Sequence, residues 1–479
     1  MTSSFHEAPT PDTVEDSLRD RGPDATTIRP HLIVVFEGAR PLAGGARFSL
    51  AGIQEIHVGR GDTRSAAIET GAGGRRLTLL LPSPSLSRLH ARLTRVPSGY
   101  AVEDAGSRNG TYLNGQRVER AVVGATDVLE LGHTFLVVRD FEQRLDAPVG
   151  DLESTDLEQQ PAAFRTLVPT LAAGLEDLRR VAVSPVGVLL AGETGTGKEV
   201  LARGIHDLSR RPGPFVAINC NTLTDGLAES QLFGHIKGAF SGAVGDSVGF
   251  VRAADRGTLL LDEVGDLGAT AQGALLRVLQ EREVVPVGRA HAQKVDVRVV
   301  ATTPRSLDPG IGRDRFRADL FARLTGFVYE MTPLRERRED LGLLIAALLR
   351  RAGVTEADRP RIGPDLGLGL MAHAWPLNIR ELEQLLTRTW LLAKDGLMSG
   401  EPTFVSVGDL DSATASPTPI GRPPRPLTAE ELEMQKRLND ALAAARGNVT
   451  EAARALGTGR VQFHRLMKRL GVDASRHRG

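Results

Sequence analysis

Between residues 31 and about 140 the apolar residues come in short runs, LIVVFEG, EIHVGRG, LTLLL, ARLTRV, YAVED, TYLNGQRV and DVLELGHTFLVV, spaced as strand follows strand. Pro97-Ser98-Gly99 and Asn114-Gly115 fall between runs as hairpin turns, and Asn-Gly is the stronger signal because both residues tolerate positive φ. The spacing predicts an all-β domain over 30–140. Residues 141–163 lose the alternation and predict an acidic linker. Beyond them the rhythm changes: the run at 186–190, PFVAIN, TLLLDEV and VDVRVVATT alternate with the helical segments LARGIHDLSR and ALLRVLQERE. Strands alternating with helices predict a parallel sheet covered on both faces. From about 335 the pattern is helical only (EDLGLLIAALLRR, DLGLGLMAHA, IRELEQLLTRTWLLAK), which predicts a lid bundle over 335–400 that closes an α/β domain of 164–400. The proline-containing stretch SATASPTPIGRPPRP predicts an extended linker at 401–427, and 428–475 reads as a small all-α module. Residues 1–29, rich in Pro, Ser, Thr, Asp and Glu, lack the apolar surface to offset the entropy of ordering and are expected to be disordered.

A length of 479 residues fits this modular reading, at ~150 residues per domain. Lys plus Arg (59) balance Asp plus Glu (59), which excludes a uniformly basic nucleic-acid coat, so any nucleic-acid site must be local. The chain is 41% hydrophobic and 25% charged, as folded soluble chains are, and no apolar run approaches the ~20 residues that span a bilayer. No membrane partner is expected. The first residues have neither a basic start nor an apolar stretch, so they do not read as a secretory signal, and the expected compartment is the cytoplasm. Cys220 is the one cysteine, which rules out an internal disulfide and leaves a small buried hydrophobe.

The most specific chemistry is Gly192-Glu193-Thr194-Gly195-Thr196-Gly197-Lys198, a GxxxxGK phosphate loop that follows an apolar run and opens a helix. Its glycines let backbone N–H groups turn toward phosphates, the helix start adds its positive end, and Lys198 meets the β and γ oxygens of ATP. Glu199 stands where the general motif has Ser or Thr for magnesium. Further on, Leu259-Leu260-Leu261-Asp262-Glu263 ends an apolar run in two carboxylates. Asp262 is the expected Mg2+ holder, directly or through water, and Glu263 the group that orients and deprotonates the attacking water.

These residues, with FVAINC, ESQLFGHIKGAFSGA, GTLLLDEVGDL, LLRVLQEREVVPVG, FRADLFARL, PLRERREDL and WPLNIRELE, closely resemble the AAA+ activators of sigma-54 RNA polymerase from about 164 to 394. The resemblance implies an ATP-hydrolysing ring, a hexamer in that family, whose GAFTGA loop touches sigma-54. The loop here is Gly238-Ala239-Phe240-Ser241-Gly242-Ala243, with Phe240 as the apolar contact and Ser241 at the family's threonine position. Asn219 matches the switch residue that links the catalytic glutamate to the loop. Arg317 and Arg323 match the arginines that reach a neighbouring subunit's γ-phosphate, and Arg380 the lid's sensor arginine. An arginine supplied across a subunit boundary makes hydrolysis depend on assembly, because the transition-state charge is poorly stabilised without it. The sequence departs from the family at Pro304, where the first sensor has asparagine, at Leu377 for the glycine of WPGN, and at Gln231 and Ile236 for two glutamates.

In the β domain, Gly59-Arg60, Ser87-Arg88-Leu89-His90 and Ser107-Arg108-Asn109-Gly110-Thr111 resemble a forkhead-associated (FHA) domain over about 31–140, a β-sandwich that binds phosphothreonine peptides through loops at one end. Arg60 can grip the phosphate, Ser87 and Arg88 can add donors, and Asn109 can hold the peptide backbone. By resemblance, His90 braces the loop. The stretch TRSAAIETGAGGRR is expected to lengthen a surface loop. The alternative is a sandwich that serves only for docking or dimerisation.

Near the end, Arg446-Gly447-Asn448-Val449-Thr450 precedes EAARALG, and a short turn leads to RVQFHRLMKRL. The segment resembles a Fis-like helix-turn-helix over about 429–472, whose second helix enters the DNA major groove. Gln462 and His464 are the candidate base readers, and Arg460, Arg465 and Lys468 the candidate phosphate contacts; an amphipathic hairpin with a solvated basic face is the alternative. The expected protein is therefore multidomain: an all-β FHA sandwich, an α/β AAA+ P-loop ATPase with a helical lid, and an all-α helix-turn-helix. It is expected to read a phosphothreonine signal, bind DNA and remodel sigma-54 polymerase. The rivals are a phosphopeptide-responsive repressor or scaffold that binds ATP without activating sigma-54, and an ATPase acting on a different polymerase partner.

Overall fold

The computed structural model describes residues 26–144, 150–223, 226–304 and 316–399, together with scattered residues between 436 and 455. It falls into two units, Met1–Ile420 and Gly421–Gly479. The first unit begins with the sandwich, made of β1 (Thr26–Glu37), β2 (Ala46–Ser49), β3 (Ile53–Arg60), β4 (Ser65–Gly71), β5 (Gly74–Leu81), β6 (Ala91–Val96), β7 (Gly99–Asp104), β8 (Thr111–Leu113), β9 (Gln116–Val118), β10 (Arg120–Val123), β11 (Leu129–Leu131), β12 (Thr134–Arg144) and β13 (Leu152–Glu153). A 7-stranded sheet in the order β13-β2-β1-β12-β11-β8-β9 faces a 6-stranded sheet in the order β10-β7-β6-β3-β5-β4. Asn114 (φ 52°) and Gly115 (φ 78°) turn β8 into β9, both in the left-handed region that an Asn-Gly hairpin turn requires.

Two segments differ from the sequence reading. The stretch expected as a loop is β4 and the start of β5, an antiparallel hairpin in which Ser65 pairs with Leu80 and Gly71 with Gly74. Every residue of β4 is exposed, so no hydrophobic alternation marks it, and backbone pairing alone makes the strand. The described parts of the expected linker also carry structure: β12 runs on to Arg144, and Leu152–Glu153 pairs with β2.

The second layer system is a 5-stranded parallel sheet. Its strands are β14 (Val188–Ala191), β15 (Phe215–Asn219), β16 (Thr258–Asp262), β19 (Arg298–Thr303) and β20 (Phe327–Glu330), in the order β15-β16-β19-β14-β20; β17 (Glu283–Val284) and β18 (Gln293–Lys294) form a small separate hairpin. The strands read as unbroken apolar runs because both faces are covered. Leu189, Leu259, Leu261 and Val299 pack toward the helix Ala269–Glu281, whereas Val188, Leu190, Leu260 and Val300 pack toward the helices Pro169–Ala182 and Lys198–Ser209. The lid carries the helices Leu341–Arg351, Pro364–Ala372 and Asn378–Leu391, with β21 (Arg361–Ile362) pairing parallel to β22 (Leu397–Met398).

The sandwich and the lid share one core. Along β1, Leu32 and Val34 point into the sandwich, while Ile33, Val35 and Phe36 join Leu341, Ile345, Leu366 and Trp375 of the lid. Burial of each such side chain contributes roughly 1.5–3 kcal/mol. Lid glycines permit the approach: a Cβ on Gly342 would lie 1.9 Å from the Val35 carbonyl oxygen, and one on Gly367 would lie 2.3 Å from the Phe135 ring. At the edges, Arg139 Nε sits 2.7 Å from Glu339 Oε1, and the Ile362 N–H donates to Gly38 O (2.7 Å).

Candidate functional site

Ligands of open parallel sheets sit beyond the carboxyl ends of the strands. Here that edge holds Ala191 beside Thr303, and Asn219 beside Asp262. Gly192 (φ 146°), Gly195 (φ 79°) and Gly197 (φ 98°) turn the chain from β14 into the helix that Lys198 opens. Lys198 Nζ donates to the carbonyls of Gly192 (2.7 Å) and Glu193 (3.0 Å). Burial lowers its pKa, opposed by the nearby Asp262 and Glu263 and aided by Arg380. Thr196 is buried, its hydroxyl donating to Glu193 O (2.8 Å), while Glu199 is exposed on the helix surface.

The acidic pair ends β16. Thr302 Oγ1 donates to Asp262 Oδ1 and accepts from the Glu263 N–H (3.0 Å). Glu263 has φ 56°, a left-handed conformation that is uncommon for a residue with a Cβ and clusters at functional sites. Its Oε2 accepts from Asn221 Nδ2. This differs from the expectation for Asn219, whose side chain accepts from the Asn221 N–H (2.9 Å) and caps the short turn after β15. That turn carries Asn221 to the glutamate. Cys220 between them is fully buried, and burial pushes its thiol up to about 12.

The lid closes over the P-loop. Ile379 N–H donates to Gly195 O (2.9 Å), and Asn378 Nδ2 donates to Thr194 O and to Glu193 Oε2 (both 3.1 Å). Arg335 forms a bidentate pair with Glu193 (2.8 and 2.6 Å), which holds that carboxyl below the usual range. A Cβ on Gly195 would lie 2.1 Å from Leu377 O and 3.2 Å from Arg380 Cβ, so the lid backbone and the exposed Arg380 stand directly over the loop. Leu377 itself has φ −105° and Asn378 φ 54°, so the leucine departure falls at a position that needs no glycine.

The segment Gly238–Ala243 is a closed turn, with Gly238 N–H bonded to Ala243 O (2.9 Å) and positive φ at Gly238 and Gly242. Phe240 is half-buried, edge-on to His235 at 5.1 Å; Ser241 is exposed; the large apolar side chain most open to solvent here is Val244, 84% exposed. Arg317 caps the start of the helix Ala318–Leu324 and Arg323 lies in its last turn, both exposed, and Arg317 pairs with Asp319 (2.8 Å).

In the sandwich, Arg60, Ser87, Arg88 and Asn109 come together. Arg60 N–H donates to Ser87 O (2.9 Å), Ser87 Oγ accepts from the Arg108 N–H (3.1 Å), and Asn109 Nδ2 donates to Ser85 O (2.7 Å). His90 is fully buried between Gly110 O and the Ser87 N–H, and its pKa is lowered by burial, so it sits there as a neutral brace. A Cβ on Gly59 would lie 1.9 Å from Arg88 O, which makes glycine obligatory before Arg60. Residues Arg460, Gln462, His464, Arg465 and Lys468 lie outside the described residues, as do the expected disordered lead-in up to residue 25 and the Pro-rich linker.

Compared with known proteins, residues 167–330 match the model of the sigma-54 interaction domain, 335–404 that of the AAA+ ATPase lid domain, 56–132 that of the FHA domain and 428–470 that of the bacterial regulatory protein, Fis family. The regulatory protein LuxO of Vibrio cholerae serotype O1 is 40% identical over 319 residues, 63% of this chain and 60% of that one. The transcriptional regulatory protein GlrR of Escherichia coli K12 is 39% identical over 334 residues, 69% of this chain and 72% of that one. The chain belongs to the sigma-54-dependent transcriptional regulators. The chain thus spans less than two thirds of the length of LuxO. NtrX from Brucella abortus in complex with ATP aligns over 66% of this chain and 71% of that one, at 31% identity and a TM-score of 0.46. In this sigma-54-dependent regulator the central domain is an AAA+ ATPase domain, with an FHA sandwich before it and a Fis-type segment after it. Among the described residues no helix is long and apolar enough to cross a membrane. The sequence reading of the regulator missed Thr302, Asn221, Arg335 and Asn378, whose only sequence signal is a polar group at the end of an apolar run or inside a motif.

Proposed function

We propose that the chain is an ATP-driven transcription activator of the cytoplasm that remodels sigma-54 RNA polymerase in response to a phosphothreonine signal. Lys198, the P-loop amides and Arg380 hold the ATP phosphates; Glu263 orients the attacking water and takes its proton. Asp262 would supply the carboxylate for Mg2+, since Glu199 stands where other P-loops offer a hydroxyl, and carboxylate, phosphate and water oxygens are the ligands that ion favours. Magnesium neutralises developing phosphate charge when bound. Arg317 and Arg323, both exposed, serve the neighbouring subunit of a hexameric ring. The Gly238–Ala243 loop meets sigma-54. The basic residues from Arg460 to Lys468 hold DNA, and Arg60, Ser87, Arg88 and Asn109 hold the phosphothreonine peptide.

The observation that carries this reading is the convergence of Lys198, Asp262 and Glu263 at one sheet edge under a closed lid. The test is open-complex formation on a sigma-54 promoter: complexes should form with ATP and not with a non-hydrolysable analogue, and formation with both would sink it. For the input, Arg60→Ala should weaken a threonine phosphopeptide by about 2 kcal/mol, roughly thirtyfold, because a charge-assisted pair to phosphate is lost. Fluorescence anisotropy with a labelled peptide checks this, and unchanged affinity would favour a docking sandwich.

A second reading, a DNA-bound repressor or scaffold that binds ATP without working on sigma-54, is favoured by Pro304. That residue offers no side-chain group to a γ-phosphate where the family has asparagine. The readings separate in a trapping experiment: with ADP and aluminium fluoride the activator forms a stable complex with sigma-54, and the scaffold forms none.

A further inference from the structure

A cavity of about 770 Å³ adjoins the end of the P-loop, and Lys198 is not among the residues that line it. Its inner wall is Thr196, Gly197 and Val200, from the end of the P-loop and the first turn of the helix it opens, with Met331 and Ile379 beside them. A triphosphate running along the P-loop toward Lys198 leaves its base and ribose on this side. The size and the apolar lining suit a nucleotide's base end. The outer wall belongs to another domain: Arg40, Ala43, Thr63 and Arg64 of the sandwich line the same cavity.

That outer wall is tied in place. Arg64, nearly buried, pairs with Glu37 Oε1 (3.2 Å) and Glu153 Oε2 (2.8 Å), and donates to Ala43 O (3.1 Å) and Gly44 O (3.3 Å). Ser154 Oγ donates to Ala43 O (2.7 Å), and Arg350 of the lid donates to Leu42 O (2.8 Å). Arg40 stands at the cavity with its guanidinium 3.6 Å from Glu37 and its side chain 43% exposed, a cation open to a ribose or phosphate oxygen.

We propose that the FHA sandwich forms the outer wall of the nucleotide pocket, so that Arg40, Ala43 and Thr63 contact the base-and-ribose end of a bound purine nucleotide. This rests on the nucleotide reading of the P-loop. The loop that begins at Arg60, the phosphopeptide residue, ends at Thr63 and Arg64 in this wall. Peptide and nucleotide therefore act on one short segment, and the factor by which either alters the other's affinity is the same in both directions.

The experiment is hydrogen exchange on the full chain with and without Mg-ADP, together with ADP calorimetry on Ala43→Phe, which fills the cavity from the sandwich side. ADP should slow exchange at 38–45 and 60–64 as well as at the P-loop, and Ala43→Phe should weaken ADP by about tenfold or more. If Ala43→Phe does not fold, Arg40→Ala replaces it, with a loss of at least about threefold expected from the removed cation. Protection confined to the P-loop, with parental ADP affinity in the variant, overturns the proposal. Absence of protection at the P-loop itself, with Lys198→Ala binding ADP like the parent, overturns the nucleotide reading and the proposal with it.

Discussion

Glu263→Gln should bind ADP as tightly as the parent chain and hydrolyse ATP roughly 10²–10⁴-fold more slowly, the range for loss of a positioned general base. The substitution keeps the side chain's size and an oxygen for Asn221 Nδ2, so the local geometry survives. What goes is the ability to take the water's proton. The glutamate is held in a left-handed backbone conformation by the bond from its N–H to Thr302 Oγ1, and that bond does not depend on the side chain's charge. Binding is set elsewhere, by Lys198 and the P-loop backbone, which the variant leaves untouched. Phosphate release measured beside ADP calorimetry separates the two effects. Hydrolysis at the parental rate would remove Glu263 from the reaction, and a parallel loss of ADP binding would show that the carboxylate shapes the pocket and does not act only on the water.

The P-loop, the acidic pair and the FHA motifs were legible in the sequence because each is a contiguous stretch whose chemistry fixes its spacing. The groups that tie those stretches together were not. Arg335 and Asn378 reach Glu193 from the lid, and Thr302 reaches Asp262 and Glu263 from the neighbouring strand, through pairings that only the tertiary fold creates. The sandwich shows the same limit in another form. LIVVF in β1 and FLVV in β12 are unbroken where a one-sided strand would alternate, and that departure records burial on both faces. The run says that a second face is covered; nothing local says that lid helices cover it. β4 fails for the opposite reason, since a strand exposed on every residue carries no hydrophobic pattern at all.

Gly342→Ala tests that second face. Alanine is the better helix former by about 1 kcal/mol, so in an uncovered helix the change would stabilise the chain. In this helix, Leu341–Arg351, the added Cβ would come within 1.9 Å of the Val35 carbonyl oxygen, a backbone atom at the β1 bulge between Val34 and Phe36 whose own side chain is buried in the core shared with the lid. Neither partner can move without opening the shared core, and overpacking of this kind costs about 1–3 kcal/mol or more. The expected result is a net loss of roughly 2 kcal/mol in urea unfolding. Gly367→Ala provides the scale. Its Cβ would meet the Phe135 ring at 2.3 Å, a buried side chain stacked on Phe36 that has to shift within the core but is not backbone, so its loss should be the smaller of the two. A Gly342→Ala chain as stable as the parent, or more so, would mean that sandwich and lid are separate bodies in solution. The reverse order, with Gly367→Ala the worse, would place the rigid contact at Phe135 and not at the β1 backbone.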